Sequence, residues 1–277
     1  MQKILTLALA SMYGVAFAQT PATNPMPDGS RDMYIGLGAG AVPEYEGSKD
    51  RKIAALPVLQ VQWSNGVFVS GMSAGMHLSE QPTLEYGPMV NLHLGRDESG
   101  TSAGAIGASA DFPSISPGKR ERILNFMNTI SARVEVGGFV NYYVTPGLRF
   151  TNNLLYGAGN ERDGLRWIAN LQTVSADLAP RHRMSFLVGV TYANRAYNQT
   201  YFGISWDEAV KGDVKTYSPK GGIKDVHAGV RWNWNLSPSW LLTSTVNMAR
   251  LRGDAANSPL AERKTNMSVT TALAYRF

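Results

Sequence analysis

The chain has 277 residues, a formal net charge of +5, 17% charged residues and no cysteine. Without Cys there is no disulfide, no thiolate metal site and no Cys nucleophile. Lys and Arg are scattered along the sequence instead of clustering among aromatics, which excludes a nucleic-acid surface.

The N-terminus points to export. Lys3 leads into Ile4, Leu5, Leu7, Ala8, Leu9 and Ala10, an apolar run too short to span a bilayer. Ala16, Phe17 and Ala18 then give the small-x-small pattern of a signal-peptidase site, so cleavage is expected between Ala18 and Gln19. No later stretch reaches the roughly eighteen consecutive apolar residues of a transmembrane helix. Three units are expected: a signal peptide over 1–18, a flexible periplasmic N-terminus over the Pro-, Asn- and Ser-rich residues 19–32, and one β-barrel over 33–277.

The barrel rests on alternation. Residues 33–42 form a strand with Gly36, Gly38 and Gly40 on one face, the mark of close backbone approach. A charged turn, PEYEGSKD at 43–50, precedes a strand over 53–63, in which Pro57 requires an edge or a bulge. Asn65-Gly66 makes a tight hairpin into a strand over 67–76. Leu84, Tyr86, Val90, Leu92 and Leu94 then oppose Glu85, Asn91 and His93. Residues 95–130 show no strand pattern and form a long loop or a lumen constriction, with a short amphipathic helix expected over 119–130.

Beyond this loop the period of 2 is clean. Val134, Val136, Val140, Tyr142 and Val144 oppose Arg133, Glu135 and Asn141; Leu148, Phe150, Leu154 and Tyr156 oppose Arg149, Thr151 and Asn153. Leu165, Trp167, Ala169 and Leu171 oppose Arg166, Asn170 and Gln172, and Met184 to Tyr192 alternate likewise. A second long loop covers 194–222, after which Val226, Ala228, Val230, Trp232 and Trp234 oppose His227, Arg231 and Asn233. Strands over 240–251 and 263–277 follow. In the last, Met267, Val269, Thr271, Leu273, Tyr275 and Phe277 share one face. Its small-polar opposite face needs a different solvent, and its aromatics gather at one end as in the girdle of a membrane barrel. The terminal Tyr275 and Phe277 resemble the assembly signal of bacterial outer-membrane proteins, so the barrel-assembly machinery is an expected partner.

The fold expected is therefore all-β, an antiparallel up-and-down transmembrane barrel. Eleven strand segments are readable, but an odd count puts the two chain ends on opposite sides of the membrane. One strand in the first hundred residues is miscounted, giving twelve strands, or ten. The positive charge suits outer-membrane lipid and lipopolysaccharide phosphates.

For chemistry, Gly71-Met-Ser73-Ala-Gly75 fits G-x-S-x-G on paper but sits in a strand with no helix after it. His77, His93, His182 and His227 have no partner at metal-ligand spacing. No catalytic residue, cofactor or metal is expected. The inward ionic set is Glu85, Arg133, Glu135, Arg149, Arg166, Arg231 and Arg276. It is either a self-paired network filling a small lumen or an Arg-lined pore or solute pocket preferring anions. Trp63, Trp167, Trp232, Trp234 and Tyr275 are interfacial aromatics.

Several stretches carry a resemblance: YIGLG at 34–38 followed by PEYEGS at 43–48, YFGIS at 201–205, LRGDAANSPL at 251–260 and AYRF at 274–277, with GRD at 95–97 and VEVG at 134–137. Together they resemble the MipA/OmpV family of outer-membrane proteins. The resemblance implies a structural scaffold that brings a lytic transglycosylase to a peptidoglycan synthase, or a surface antigen or adhesin as in other members. A homo-oligomer would enlarge the small periplasmic contact surface. Residues 98–130 match the family least.

Overall fold

The computed structural model describes residues 33–101, apart from 64, 80 and 82, and residues 123–277, apart from 174 and 175. The proposed cleavage site at Ala18 and Gln19, the segment 19–32 and most of the loop over 95–130 lie outside the described residues.

The strands are β1 (Tyr34–Pro43), β2 (Arg51–Gln62), β3 (Val67–Ser70), β4 (Ser73–Met76), β5 (Leu84–His93), β6 (Arg96–Asp97), β7 (Gly100–Thr101), β8 (Arg133–Thr145), β9 (Leu148–Ala158), β10 (Gly164–Thr173), β11 (Ala176–Ala179), β12 (His182–Ala193), β13 (Gly222–Asn235), β14 (Trp240–Leu251) and β15 (Thr265–Arg276). Each pairs antiparallel with its neighbour, β1 closes on β15, and β10 closes on β12. β6 and β7 form a separate ribbon, and β11 continues the line of β10 along β12. The result is a closed barrel of twelve strands.

The twelfth strand comes from residues 67–76. What alternation presents as one strand is two, turned at Gly71 and Met72, with Ser70 opposite Ser73. Gly71 has φ +57°, the positive value that a two-residue hairpin needs at its first turn position. The split repairs the parity. The start of β1, the end of β15 and the turns at 146–147, 180–181 and 236–239 lie at one end, with the connections after β1, β5, β9, β12 and β14 leaving from the other.

Outward faces are apolar. Ile35, Leu37, Ile53, Val134, Val136, Leu154, Val188, Met248 and Leu273 are exposed, while Ala272 and Ala274 on the inner face of β15 are buried. A second solvent must cover that outer belt, as a bilayer does. Aromatics mark both rims. His182 stacks on Trp232 and Trp234 and Trp240 meets Tyr275 at the terminal end; Trp167, paired with Tyr192, lies towards the loop end.

The seam explains the first strand's glycines. A Cβ on Gly38 would sit 2.5 Å from the Ala272 Cβ and the Thr271 carbonyl, and one on Gly36 2.3 Å from the Leu273 carbonyl.

The β3–β4 hairpin is short. Four residues at about 3.3 Å each span roughly half of an apolar band about 25 Å tall. β3 meets β2 only at Gln60, Val61 and Gln62, and Gly71 closes the contact by donating to the Leu59 carbonyl. Among the described strands, β2 above Leu59 is therefore paired on its β1 side alone. Pro57 stands in this stretch, where its missing N–H costs no ladder bond.

Candidate functional site

The loop end is capped. Residues 194–222, expected as a long loop, carry α1 (Arg195–Phe202) and α2 (Trp206–Gly212), and the last loop carries α3 (Gly253–Asn257). Asn194 caps α1 by accepting from the Tyr197 amide at 2.8 Å. Ser205 and Glu208 form a capping box on α2, the one signal in the sequence that announces a helix here. Of the helix expected over 119–130, the described part is a 3₁₀ turn at Ile123–Phe126. The cap has two apolar clusters, one around Tyr197, Phe202, Leu251 and Ala255, the other around Tyr45, Leu124, Ile204 and Leu260. On its outer surface Asp207 accepts from the Ser205 hydroxyl at 2.6 Å and from Asn128 at 3.1 Å, and these bonds hold its carboxyl down at about 2.

The turn at 43–50, which composition presents as a charged surface loop, folds into this cap. Glu44, Tyr45 and Ser48 are buried. Gly47 donates to the Asn266 side chain at 2.8 Å, whose amide donates back to the Ser48 carbonyl at 2.7 Å. Tyr45 donates to Glu262, Lys49 pairs with Glu262, and Arg96 lies 5.9 Å over the Tyr45 ring. Glu46 reaches across the mouth to the buried Lys224 at 2.6 Å.

Below the cap the lumen is layered, and the predicted ionic residues fall on different levels. Glu135, fully buried, accepts from Arg166 Nε at 3.0 Å and Asn91 Nδ2 at 2.8 Å. Nearby, His227 lies 2.8 Å from Asp225 and 2.6 Å from Asn170. Arg133 sits at the rim, with its Nε buried and no hydrogen-bond partner among the described residues. An apolar layer follows, in which Met89, Phe139 and Leu155 pack with Phe68 and Ile168, and His77 meets the Phe68 and Phe139 rings. Beneath it Glu85 accepts from Tyr143 at 2.9 Å and Asn141 at 3.0 Å, while Arg149 donates to Gln172 at 3.1 Å and 3.2 Å. Arg231 is exposed to the lumen. Arg276 lies apart, at the terminal end. The structure thus assembles Glu135 with Arg166 and leaves the seven residues in several groups, not one.

Between the cap and the apolar layer lies a cavity of about 430 Å³, lined among others by Met72, Asn91, His93, Arg166, Tyr197 and Tyr201. His93 Nδ1 is 2.9 Å from the Leu94 carbonyl and 3.0 Å from the Tyr201 hydroxyl, and Nε2 is 3.1 Å from the Tyr197 hydroxyl. Burial pushes the Tyr201 phenol up to about 12, so it stays protonated. Sequence reasoning missed Tyr197, Tyr201, Lys224 and Glu46, although PEYEGS contains Glu46 and YFGIS contains Tyr201. Ser73 of the G-x-S-x-G stretch lies at the hairpin tip and donates to Asn91 at 2.9 Å. A strand–turn–strand there is not the strand-to-helix elbow that chemistry requires.

Comparison with known proteins bears on this arrangement. Residues 35–277 match the family model described as MltA-interacting protein MipA. Outer membrane protein Omp26La of Vibrio anguillarum is 26% identical over 133 residues, 48% of this chain and 49% of that protein. OmpV of Vibrio cholerae serotype O1 matches with the same identity and coverage, so the chain spans about half the length of these curated relatives. Among solved structures, a bacterial polysaccharide outer membrane secretin aligns over 89% of this chain and 99% of its own, with TM-score 0.45 and 10% identity. The translocator domain of the autotransporter NalP from Neisseria meningitidis aligns over 100% and 95%, with TM-score 0.41 and 11% identity.

Proposed function

This chain belongs to the MipA family of outer-membrane β-barrels, and from that membership we propose a non-catalytic scaffold. In this reading the barrel holds a lytic transglycosylase, and through it a peptidoglycan synthase, at the inner face of the outer membrane. The family's description as MltA-interacting supports it. In outer-membrane barrels the short turns face the periplasm, which makes the terminal end the docking face. The observation that carries the proposal is the shape and charge of that end. A cleft of about 230 Å³ lies between the start of β1, the end of β15 and the turn at 236–239, lined by Tyr34, Arg181, Trp240 and Arg276 among others. A second depression, about 460 Å³, shares Arg181 and Asn235 with it. Arg183 is paired with Asp177, and Arg181 and Arg276 both line the first cleft.

The turns are short, and a specific complex needs roughly 800 Å² from each partner. Binding through this face alone is therefore weak and salt-sensitive unless copies of the barrel associate. The test is capture of purified lytic transglycosylase by the folded barrel. Arg181→Glu with Arg276→Glu is expected to weaken capture about tenfold or more, since rim charges complementary to a partner govern encounter and register. A wild-type barrel that retains no enzyme, or a double variant that retains as much, sinks the reading.

Arg149 and Arg231, two lumen-facing cations on β9 and β13, favour a second reading as a small-anion site or pore. It predicts steady anion-selective conductance in a planar bilayer, abolished by Arg149→Ala with Arg231→Ala. A silent bilayer removes it.

A further inference from the structure

We propose that the outward rim of the loop end, beside the seam where β15 meets β1, is a site for a phosphorylated glycolipid of the outer leaflet, its phosphate held by Arg250, Arg252 and Arg263.

Register builds the cluster. On β14 the lipid-facing series of Val246 and Met248 runs into Arg250, with Met248 opposite Met267 and Arg250 opposite Thr265 on β15. The ladder continues past the strand ends. The Leu251 amide donates to the Lys264 carbonyl at 2.8 Å, which brings Arg252 level with Arg263. Arg252 has extended backbone, φ −133° and ψ 169°, so it keeps the facing of Arg250. The Arg263 amide donates to the Gly47 carbonyl at 2.8 Å, in register with the pairing of β1 and β15. The three arginines therefore share successive rungs of the outward face, and all are exposed. Arg51, outward at the start of β2 and bonded to the Ala41 carbonyl at 2.9 Å, extends the positive field across β1.

This arrangement needs an anion. Like charges directly opposite one another destabilise a strand pair, as Arg252 and Arg263 do here. Among the described residues no carboxylate pairs with any of the three. The acids of the last loop are engaged elsewhere: Glu262 by Tyr45 and Lys49, and Asp254 by the Lys220 amide at 2.8 Å. Guanidinium donors in a planar fork match phosphate oxygens bidentately.

The level of the cluster makes that anion a lipid. One rung below the cations, Met248 and Met267 are 50% and 44% exposed on the lipid-facing side. A ligand filling both levels carries anionic oxygens above and acyl chains below, which a free phosphate ion does not. The cations also occupy one sector. On the loop side, the outward series of β8, β9, β10 and β12 end in Val134, Tyr156, Leu165 and Tyr192. Scattered charge would serve general attraction to an anionic leaflet, whereas a sector gives one headgroup a place. The site is independent of the scaffold reading, whose docking face is the opposite end.

The test is titration of the folded barrel in detergent with bis-phosphorylated lipid A, read as bound lipid by native mass spectrometry. Arg250→Gln, Arg252→Gln and Arg263→Gln together should lower affinity about a hundredfold, each cation near an anionic lipid surface being worth roughly fivefold. Removing the same charge elsewhere on the loop end, with Arg162→Gln, Arg195→Gln and Lys215→Gln, should leave binding unchanged. Lipid A stripped of its phosphates should bind wild type no better than it binds the site variant. Heat-modifiable mobility checks folding; if the site variant does not fold, Arg252→Gln alone, with an expected loss of about fivefold, decides the matter. A folded site variant that binds like wild type, a control variant that loses as much, or dephosphorylated lipid that binds wild type as tightly overturns the site. Displacement of the bound lipid by millimolar inorganic phosphate overturns the lipid as occupant.

Discussion

Glu135 is the residue on which the upper lumen turns. It is fully buried and is bonded by both Arg166 and Asn91, so its charge is matched and its oxygens are occupied. Removing one member of such a pair leaves the other as an uncompensated buried charge, which costs about 3–5 kcal/mol. Glu135→Gln should therefore lower the stability of the folded barrel by about that amount, while adding Arg166→Gln should return part of it. Denaturant unfolding of the refolded protein, or the temperature at which its compact gel band disappears, reads both; equal stability of wild type and Glu135→Gln refutes the argument. Alternation told the facing of these residues but not their level. Arg133 is only two residues away on the same strand, yet its Nε has no acceptor among the described residues. Lys224 escaped for a different reason. Counting by twos from Val226 puts it outside, but the pairing of β12 with β13 shifts register at Thr191 and Tyr192, and Lys224 is buried against Glu46. One extra residue reverses facing, and no composition signal marks where it falls.

At the level of elements, β1 shows what was legible. Its three glycines on one face announce close approach, and the seam with β15 supplies it. The atoms a Gly38 side chain would meet include the Thr271 carbonyl and the Ala272 Cα, at 2.5 Å and 2.8 Å, and neither is a flexible tip that can swing aside. Gly38→Val should force β1 from β15 and cost at least about 1–3 kcal/mol of overpacking strain. It should show as a lower yield of the heat-modifiable folded form, and a Gly38→Val barrel that refolds and melts like wild type refutes the seam argument. Pro57 was equally informative, since it demanded an edge or a bulge, and among the described strands it stands where β2 is paired on one side. The hairpin that creates the edge stayed hidden. Residues 67–76 contain no Pro or Asn at the turn, and although Ser70 and Ser73, three apart, face the same way and so reverse the alternation, the small residues Ser73, Ala74 and Gly75 carry too little polarity contrast to display the reversal. The helices of the cap were hidden too, apart from the Ser205–Glu208 box: α1 is short and its sequence is polar and aromatic, so packing on the strands and α3, not propensity, holds it.

For the whole molecule, the class of fold followed from the period of 2, since that depends on neighbours in sequence. The cap did not, because it is made by segments far apart in the chain. The first loop and the last illustrate this: Gly47 and Asn266, Tyr45 and Glu262, and Ser48 and Asn266 are bonded across more than two hundred residues. That strap has a consequence in time. None of its bonds can exist until the final strand has arrived beside the first, so the same event that zips the cylinder shut also latches its outer mouth. Closure and capping are one step. An incompletely inserted chain accordingly presents residues 44–50 as a loose loop, and the finished one presents them as buried structure.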